Sequence, residues 1–211
     1  MSLIAGVDEA GRGAVIGPLV IAGVLIEEKS QDLQLLGVKD SKLLTPRKRG
    51  ELSEKIKNVV LKYAYFELSP AQIDRVVLFG RQYRRLNYLE MCVMAKIIRD
   101  LRPDRAIVDP SDVKPERCIQ EIRRMLAFEV EIICEHHADR IYPVVSAASI
   151  LAKVHRDAMV SELRERYGDF GSGYPSDPKT IGFLERIIKN GEDFPSFVRL
   201  SWATAKRLRG F

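Results

Sequence analysis

The chain has 211 residues, a formal net charge of +5 at pH 7, and 46% hydrophobic against 30% charged residues. This length can bury a sizeable core in one large domain, and the composition is that of a soluble globular protein. It excludes a membrane-spanning protein, because the most apolar run, 14–26, is too short to cross a bilayer and contains Gly17, Pro18 and Gly23. The excess of basic residues is compatible with a polyanionic partner.

The cysteines indicate a reducing compartment. Cys92, Cys118 and Cys134 are odd in number, scattered and set in apolar surroundings, which favours reduced core thiols over a disulfide framework. The acidic pair Asp8-Glu9 precedes any long apolar stretch, so no signal peptide is predicted. We therefore expect a cytoplasmic protein with no membrane partner.

The predicted elements, taken in chain order, begin with strands and then alternate. Strands are predicted over 3–8, 14–26, 60–68, 105–109 and 128–135. Helices are predicted to start at Thr45-Pro46 and Ser69-Pro70, and to cover 86–101, 114–126 and about 142–167. This order predicts an α/β domain whose mixed sheet starts antiparallel and becomes parallel, flanked by helices. We expect this domain over 1–168 and a helical C-terminal extension with a basic end over 169–211.

Acidic residues follow separate predicted strands. Asp8 and Glu9 end the first strand, Asp109 closes the apolar run before it, and Asp139 follows the strand that ends near Cys134. Taken singly, each acid is more often a turn or cap residue. Because functional groups gather at the carboxyl ends of strands in α/β sheets, their common position predicts one shared site.

Converging carboxylates indicate a site for hard cations. Two like charges about 4 Å apart repel by roughly 4 kcal/mol at an effective dielectric near 20, so the acids need cations or raised pKa values. Oxygen ligands favour Mg²⁺ or Mn²⁺ and fit a two-metal phosphoryl-transfer site. A zinc site at Cys134, His136 and His137 is disfavoured, because no second ligand cluster is present. Asp112 is the alternative to Asp109.

Basic, small and aromatic residues surround the same predicted strand ends. Glycines at 11 and 13 leave room for a backbone or ligand, and Lys42 lies in a loop that can hold a phosphate. Ser149 and Lys153 fall on a polar helix face with Ser146 and Arg156, opposite a predicted buried face at 144, 147, 148, 151 and 152. Lys153 is either a solvated charge or a phosphate contact. Tyr174 either stacks on a sugar or packs under its turn.

Six short motifs stand in the order expected of one nuclease family. They are Asp-Glu-Ala-Gly-Arg-Gly at 8–13, Lys-Asp-Ser-Lys-Leu at 39–43, Val-Asp at 108–109, Ala-Asp at 138–139, Ser-Ala-Ala-Ser-Ile-Leu-Ala-Lys-Val at 146–154 and Gly-Ser-Gly-Tyr-Pro-Ser-Asp-Pro at 171–178. On these motifs, which span nearly the whole chain, the sequence resembles ribonuclease HII, and its compactness is similar to the archaeal form. The resemblance implies the ribonuclease H fold, a five-stranded mixed sheet with flanking helices and a helical C-terminal extension.

The resemblance also implies an activity and a set of site residues. The activity is hydrolysis of the RNA strand of RNA–DNA hybrids and incision 5′ to single ribonucleotides in duplex DNA, giving 5′-phosphate and 3′-hydroxyl ends. The implied holders of two Mg²⁺ or Mn²⁺ ions are Asp8, Glu9, Asp109 and Asp139. The implied substrate contacts are the backbone of Gly11, Arg12 and Gly13 at the ribose 2′-hydroxyl, Tyr174 at the RNA–DNA junction, and Lys42, Ser149 and Lys153 at phosphates.

Some features separate this chain from relatives and alternatives. Pro110 stands where relatives often carry serine, and no extension precedes the first motif, which argues against ribonuclease HIII. A monomer is expected. A terminal peptide that docks on a replication clamp occurs in the family, but no clear motif for it is present here. The alternatives are a resolvase- or integrase-like nuclease of the same fold and a catalytically silent hybrid-binding protein.

Overall fold

The computed structural model describes residues 2–38, 45–80, 86–111 and 114–210. The described residues fall into two compact units. The first takes its residues from Met1–Ala10, Val20–Phe66 and Asn87–Val154, and the second from Gly11–Leu19, Glu67–Leu86 and His155–Phe211. The division at 168/169 stays a prediction.

The described residues form a five-stranded mixed sheet. Its strands are β1 Leu3–Ala10, β2 Leu19–Glu27, β3 Lys62–Leu68, β4 Arg105–Val108 and β5 Glu131–Cys134. They lie side by side in the order β3-β2-β1-β4-β5. β1 is antiparallel to β2, while β1–β4 and β4–β5 are parallel. The predicted fold class and the change from antiparallel to parallel pairing are confirmed.

Two helices of the described residues begin at the predicted start signals, Thr45-Pro46 and Ser69-Pro70. The helices of the described ranges are α1 Asp32–Leu35, α2 Pro46–Val59, α3 Pro70–Phe79, α4 Leu86–Leu101, α5 Pro115–Arg124, α6 Ala138–Ile141, α7 Pro143–Tyr167, α8 Pro178–Lys189 and α9 Ala203–Leu208. The Thr45 hydroxyl accepts the Lys48 N–H at the start of α2, and Ser69 and Gln72 form a capping box at the start of α3. No helix in the described ranges is both long enough and apolar enough to cross a membrane.

Glycines let two helices approach the sheet of the first unit closely. A Cβ on Gly6 of β1 would lie 2.4 Å from the Val144 carbonyl of α7, and one on Gly23 of β2 would lie 2.3 Å from Ile97 of α4. Because the contact at Gly6 is with backbone, that position requires glycine, and at Gly23 a larger residue would displace the packed side chain of Ile97. The close approach at Gly6 fixes α7 against the strand that carries Asp8.

The second unit has its own apolar core. Phe170, Phe183 and Phe197 pack with ring centroids 5.4 to 6.4 Å apart, and Val15 and Ile16 are buried in the same cluster. Aromatic pairs at these distances stabilise a core beyond their buried area. Residues of α8, α9 and the loop after Gly11 are therefore held by one cluster.

The predicted strand over 14–26 is wrong in its first part, because β2 begins only at Leu19. Residues 14–18 form a buried loop, in which the N–H groups of Val15 and Ile16 both donate to the Gly173 carbonyl. Gly17 has a positive φ of 88° and precedes Pro18, a combination that interrupts a strand. β5 is also shorter than predicted, and the short helices α1 and α6 were not predicted.

Candidate active site

The ends of three neighbouring strands bring the predicted acids to one edge of the sheet. Val7 of β1 lies opposite Val108 of β4, and Val108 lies opposite Cys134 of β5. The N–H of Asp109 donates to the Val7 carbonyl at 3.1 Å, so Asp8, which lies inside β1 near its end, and Asp109, which directly follows β4, are at the same level on adjacent parallel strands. We call Asp8, Glu9, Asp109 and Asp139 the acidic edge.

Asp8 is buried at this edge. Its Oδ1 accepts the Glu9 N–H at 2.7 Å, and the Ser149 hydroxyl also hydrogen-bonds its carboxylate. The pKa of Asp8 is raised to about 7, chiefly by burial; these two hydrogen bonds lower it, while the charges of Asp109 and Glu9 raise it. The ionised form of Asp8 is therefore unfavourable unless a positive charge lies beside it.

The other acids are oriented by short-range donors. The Ser111 hydroxyl donates to Glu9 Oε1. Asp109 is partly buried and its Oδ1 accepts the backbone N–H of His137 at 3.2 Å. His137 has a left-handed φ of 61° in the turn after β5, which leads into the helix that carries Asp139. Burial, followed by the charge of Asp139, raises the pKa of Asp109.

The donor set of the acidic edge fits a hard divalent cation. Its ligating atoms are carboxylate oxygens, and their mutual repulsion and burial both favour a neighbouring positive charge. Within the described ranges, no group of three or more histidine, cysteine, aspartate or glutamate side chains is arranged as a ready-made metal cage. The acids thus lie next to one another in a row along the sheet edge. Asp109 is in the middle and interacts with both Asp8 and Asp139.

Two predicted substrate contacts extend from Asp8 along α7. Lys153 Nζ donates to Ser149 Oγ at 2.6 Å, and Ser149 in turn hydrogen-bonds Asp8. The prediction of a polar face on α7 opposite the buried one is wrong for Ser146, Ser149 and Arg156, which are themselves buried. The serine hydroxyls are satisfied inside, since Ser146 donates to the Val38 carbonyl at 2.7 Å.

The glycines of the second unit form a tight turn. We call residues 11–17 the Gly-Arg-Gly loop. The Ala14 N–H donates to the Gly11 carbonyl at 3.2 Å, and Gly11 has a positive φ of 90°. A Cβ on Gly11 would lie 2.3 Å from Arg156 Nε, so both conformation and space require glycine there. Gly13 is exposed.

Tyr174 lies beside this loop within the same unit. A Cβ built on Gly13 would be 3.9 Å from the Tyr174 ring, and the guanidinium of buried Arg156 lies 4.8 Å from the ring centroid. Asp177 Oδ2 braces the turn by accepting the Ser172 N–H at 2.7 Å. Tyr174 is only partly buried. These contacts fix the position of its ring, and part of the residue stays accessible to a ligand.

The contacts of three further side chains were not predicted from the sequence, and two of the predicted residues lie outside the described ranges. Ser111, Arg156 and Arg199 contact the acidic edge or the Gly-Arg-Gly loop. The signal for Arg199 was a charge inside the apolar run Phe197-Val198-Arg199-Leu200. The predicted phosphate contact Lys42 and the alternative acid Asp112 lie outside the described ranges.

Comparison with known proteins decides the family. The sequence model of the ribonuclease HII family matches residues 5–205. The chain belongs to the ribonuclease HII family. Ribonuclease HII of Methanosarcina mazei is 47% identical over 98% of this chain and 97% of that protein. The chain is accordingly a ribonuclease H, a metal-dependent endoribonuclease that acts on RNA–DNA hybrids.

Solved structures agree with this assignment. The crystal structure of ribonuclease H2 from Pyrococcus horikoshii superposes on this chain with a TM-score of 0.91 and 44% sequence identity. The match covers 99% of this chain and 97% of that one. The ribonuclease HII of Archaeoglobus fulgidus, solved in a complex with PCNA, is 42% identical with a TM-score of 0.88, over 98% of this chain and 96% of that one. Both share the ribonuclease H fold described above.

Proposed function

We propose that this ribonuclease HII cuts the RNA strand of hybrids and also incises duplex DNA on the 5′ side of a single embedded ribonucleotide, leaving 5′-phosphate and 3′-hydroxyl ends. The observation that carries the proposal is the meeting of Asp8, Glu9, Asp109 and Asp139 at one sheet edge. Phosphodiester hydrolysis needs a water positioned for attack and compensation of the negative charge that develops on phosphate oxygens.

The protein orients three of these acids before substrate arrives. Ser149 orients Asp8, Ser111 orients Glu9, and the His137 N–H orients Asp109. We propose that the acidic edge holds two divalent cations, which when bound supply an activated water and charge for the leaving oxygen. Lys153 lies one hydrogen bond behind Ser149 and places a positive charge near the same edge, where a substrate phosphate can use it.

The Gly-Arg-Gly loop supports discrimination of RNA from DNA. It begins two residues after Glu9 in the chain, and its exposed Gly13 has no side chain to keep a sugar away. Backbone N–H groups can donate to a ribose 2′-hydroxyl, the group that DNA lacks. Tyr174 presents a partly exposed ring beside Gly13, which suits stacking on the neighbouring sugar.

A cleavage assay tests the proposal. Three end-labelled substrates are incubated with Mg²⁺ or Mn²⁺: duplex DNA with one ribonucleotide, the identical all-DNA duplex, and an RNA–DNA hybrid. We expect incision immediately 5′ of the ribonucleotide, cutting of the hybrid, no cutting of all-DNA duplex, and no cutting in EDTA. Binding without incision would favour a silent hybrid-binding protein, and equal cutting of all-DNA duplex would favour a resolvase-like nuclease.

The Archaeoglobus complex makes a sliding clamp a candidate partner of this chain as well. Such a partner would keep the enzyme on duplex DNA, where embedded ribonucleotides occur.

A further inference from the structure

A fully buried arginine holds both ends of the Gly-Arg-Gly loop. Arg199 has no exposed surface. Its Nε donates to the Gly17 carbonyl at 3.0 Å, its Nη1 to the Arg12 carbonyl at 2.8 Å and its Nη2 to the Gly11 carbonyl at 2.8 Å. The planar guanidinium presents its donors in a fixed fork, so one side chain sets the relative positions of these carbonyl oxygens.

Arg199 is itself fixed by the backbone around it. Its N–H donates to the Val15 carbonyl at 2.8 Å, and the Gly17 N–H donates to the Phe197 carbonyl at 2.9 Å. The indole ring of Trp202 lies 4.8 Å from the guanidinium carbon. The segment around Arg199 therefore pairs with the same loop that its side chain holds, which leaves the guanidinium little freedom to move.

The geometry of the peptide bond transmits this constraint to the outer side of the loop. The peptide bonds here are trans. In a trans peptide unit the carbonyl and the N–H of the next residue are coplanar and point in opposite directions. Holding the carbonyls of Gly11 and Arg12 towards Arg199 therefore directs the N–H groups of Arg12 and Gly13 away from it.

We propose that Arg199 is a positioning residue for recognition of the ribose, acting through the Gly-Arg-Gly loop. It touches no reacting atom, and its effect is to keep the N–H groups of Arg12 and Gly13 directed at the 2′-hydroxyl. The inference rests on the proposed role of that loop. A purely structural arginine would also be costly to remove, because a buried network left partly unsatisfied destabilises a protein. The test must separate the two roles.

Binding measured without cleavage separates them. Fluorescence anisotropy in Ca²⁺ compares duplex DNA containing one ribonucleotide with the identical all-DNA duplex, for the wild type and for Arg199→Lys. Lysine keeps the charge but cannot donate in a fork. We expect the wild type to bind the ribonucleotide duplex about tenfold more tightly, the variant to lose most of this ratio, and binding to all-DNA duplex to stay the same. Because no cutting is measured, this result does not depend on the outcome of the cleavage assay.

A matched control perturbs the same segment without touching the loop. Asp74 accepts the N–H groups of Leu200 and Ser201 at 2.8 and 2.9 Å, so Asp74→Asn should lower Tm and leave the binding ratio unchanged. If Arg199→Lys does not fold, Trp202→Phe keeps the arginine, changes the ring against it, and should lower the ratio by a smaller factor. An unchanged ratio in the folded variant, an equal loss of both duplexes, or a wild type without preference would overturn the proposal.

Discussion

The acidic edge and the Gly-Arg-Gly loop differ in how their buried charges are compensated. At the acidic edge, like charges are brought together and burial raises the pKa values of Asp8 and Asp109. At the loop, the positive charge of buried Arg199 is compensated by hydrogen bonds to three of the loop's carbonyl oxygens. Without a bound cation, the acidic edge therefore destabilises the folded protein. The loop needs no ligand, because hydrogen bonds within the protein stabilise it.

Because of this difference, the acidic edge should depend on a bound metal ion, whereas the loop should not. The acidic edge has the electrostatics of a site completed by cations, and its oxygen ligands are released from repulsion when a divalent ion binds. The loop requires glycine at position 11 and an arginine behind it, and nothing in its hydrogen bonding calls for an ion. Catalysis should thus vary with metal, and ribose recognition should survive a change of metal.

The largest expected effect is on catalysis, from Asp109→Asn. The change keeps the volume and the acceptor for the His137 N–H but removes the negative charge. Loss of an outer-shell partner of a metal costs about 10–100-fold, so loss of a ligand should lower kcat/KM by about a thousandfold, with Tm little changed. Steady-state cleavage of the single-ribonucleotide duplex measures it.

Asp112→Asn is the companion variant, because Asp112 is the other acid after β4 in the sequence. We expect it to retain most of the activity. The reverse pattern, an active Asp109→Asn and an inactive Asp112→Asn, would move the ligand role to Asp112. Asp109 would then not be a metal ligand of the acidic edge.

The next effect is on stability, from Asp8→Asn in EDTA. The folded-state pKa of Asp8, about 7, lies above its ordinary value of 3.8. The folded state therefore keeps a proton that the unfolded state loses, and the free energy of unfolding should fall as the pH rises from about 4 to about 7. Asparagine removes this dependence and should stabilise the metal-free protein at pH 8 by an amount on the order of 3 kcal/mol.

Thermal unfolding across this pH range measures the effect, and two controls sharpen it. Asp104→Asn changes an exposed carboxylate at the other end of β4 that accepts the Leu3 N–H at 2.7 Å, and should alter stability by less than about 0.5 kcal/mol. Mg²⁺ should stabilise the wild type and have little effect on Asp8→Asn. If Asp8→Asn is less stable than the wild type at pH 8, ionisation of Asp8 does not destabilise the folded state and this prediction is wrong.

The sequence predicted these two regions to different degrees. Acids at strand ends are readable because parallel strands place their carboxyl ends together, and the observed register of Val7, Val108 and Cys134 confirms that placement. The strand predicted over 14–26 failed because an apolar run is equally typical of a buried strand and of a buried loop. The contact of residues 15 and 16 with Gly173 and the positive φ of Gly17 identify this run as a loop.

The role of Arg199 could not be predicted because its partners are distant in the chain. Its hydrogen bond to Gly11 joins residues 188 positions apart, and no local pattern of charge or periodicity encodes such a contact. An arginine in an apolar run signals a buried cation without naming its acceptors. Burial of Ser146 and Ser149 was missed for a related reason, since the acceptor for Ser146 is the Val38 carbonyl, far along the chain.

The smallest effect tests whether the second unit acts on substrate or only on its own stability. Tyr174→Ala should lower incision at a single ribonucleotide by about tenfold, because stacking on one base or sugar contributes on the order of 1–3 kcal/mol. Tyr174→Phe keeps the ring beside Gly13 and under Arg156 and should retain most of the activity. Binding to all-DNA duplex should be nearly the same for both variants. Equal losses in incision and in all-DNA binding would make Tyr174 a structural residue, and would leave the acidic edge as the part of the molecule that acts on substrate.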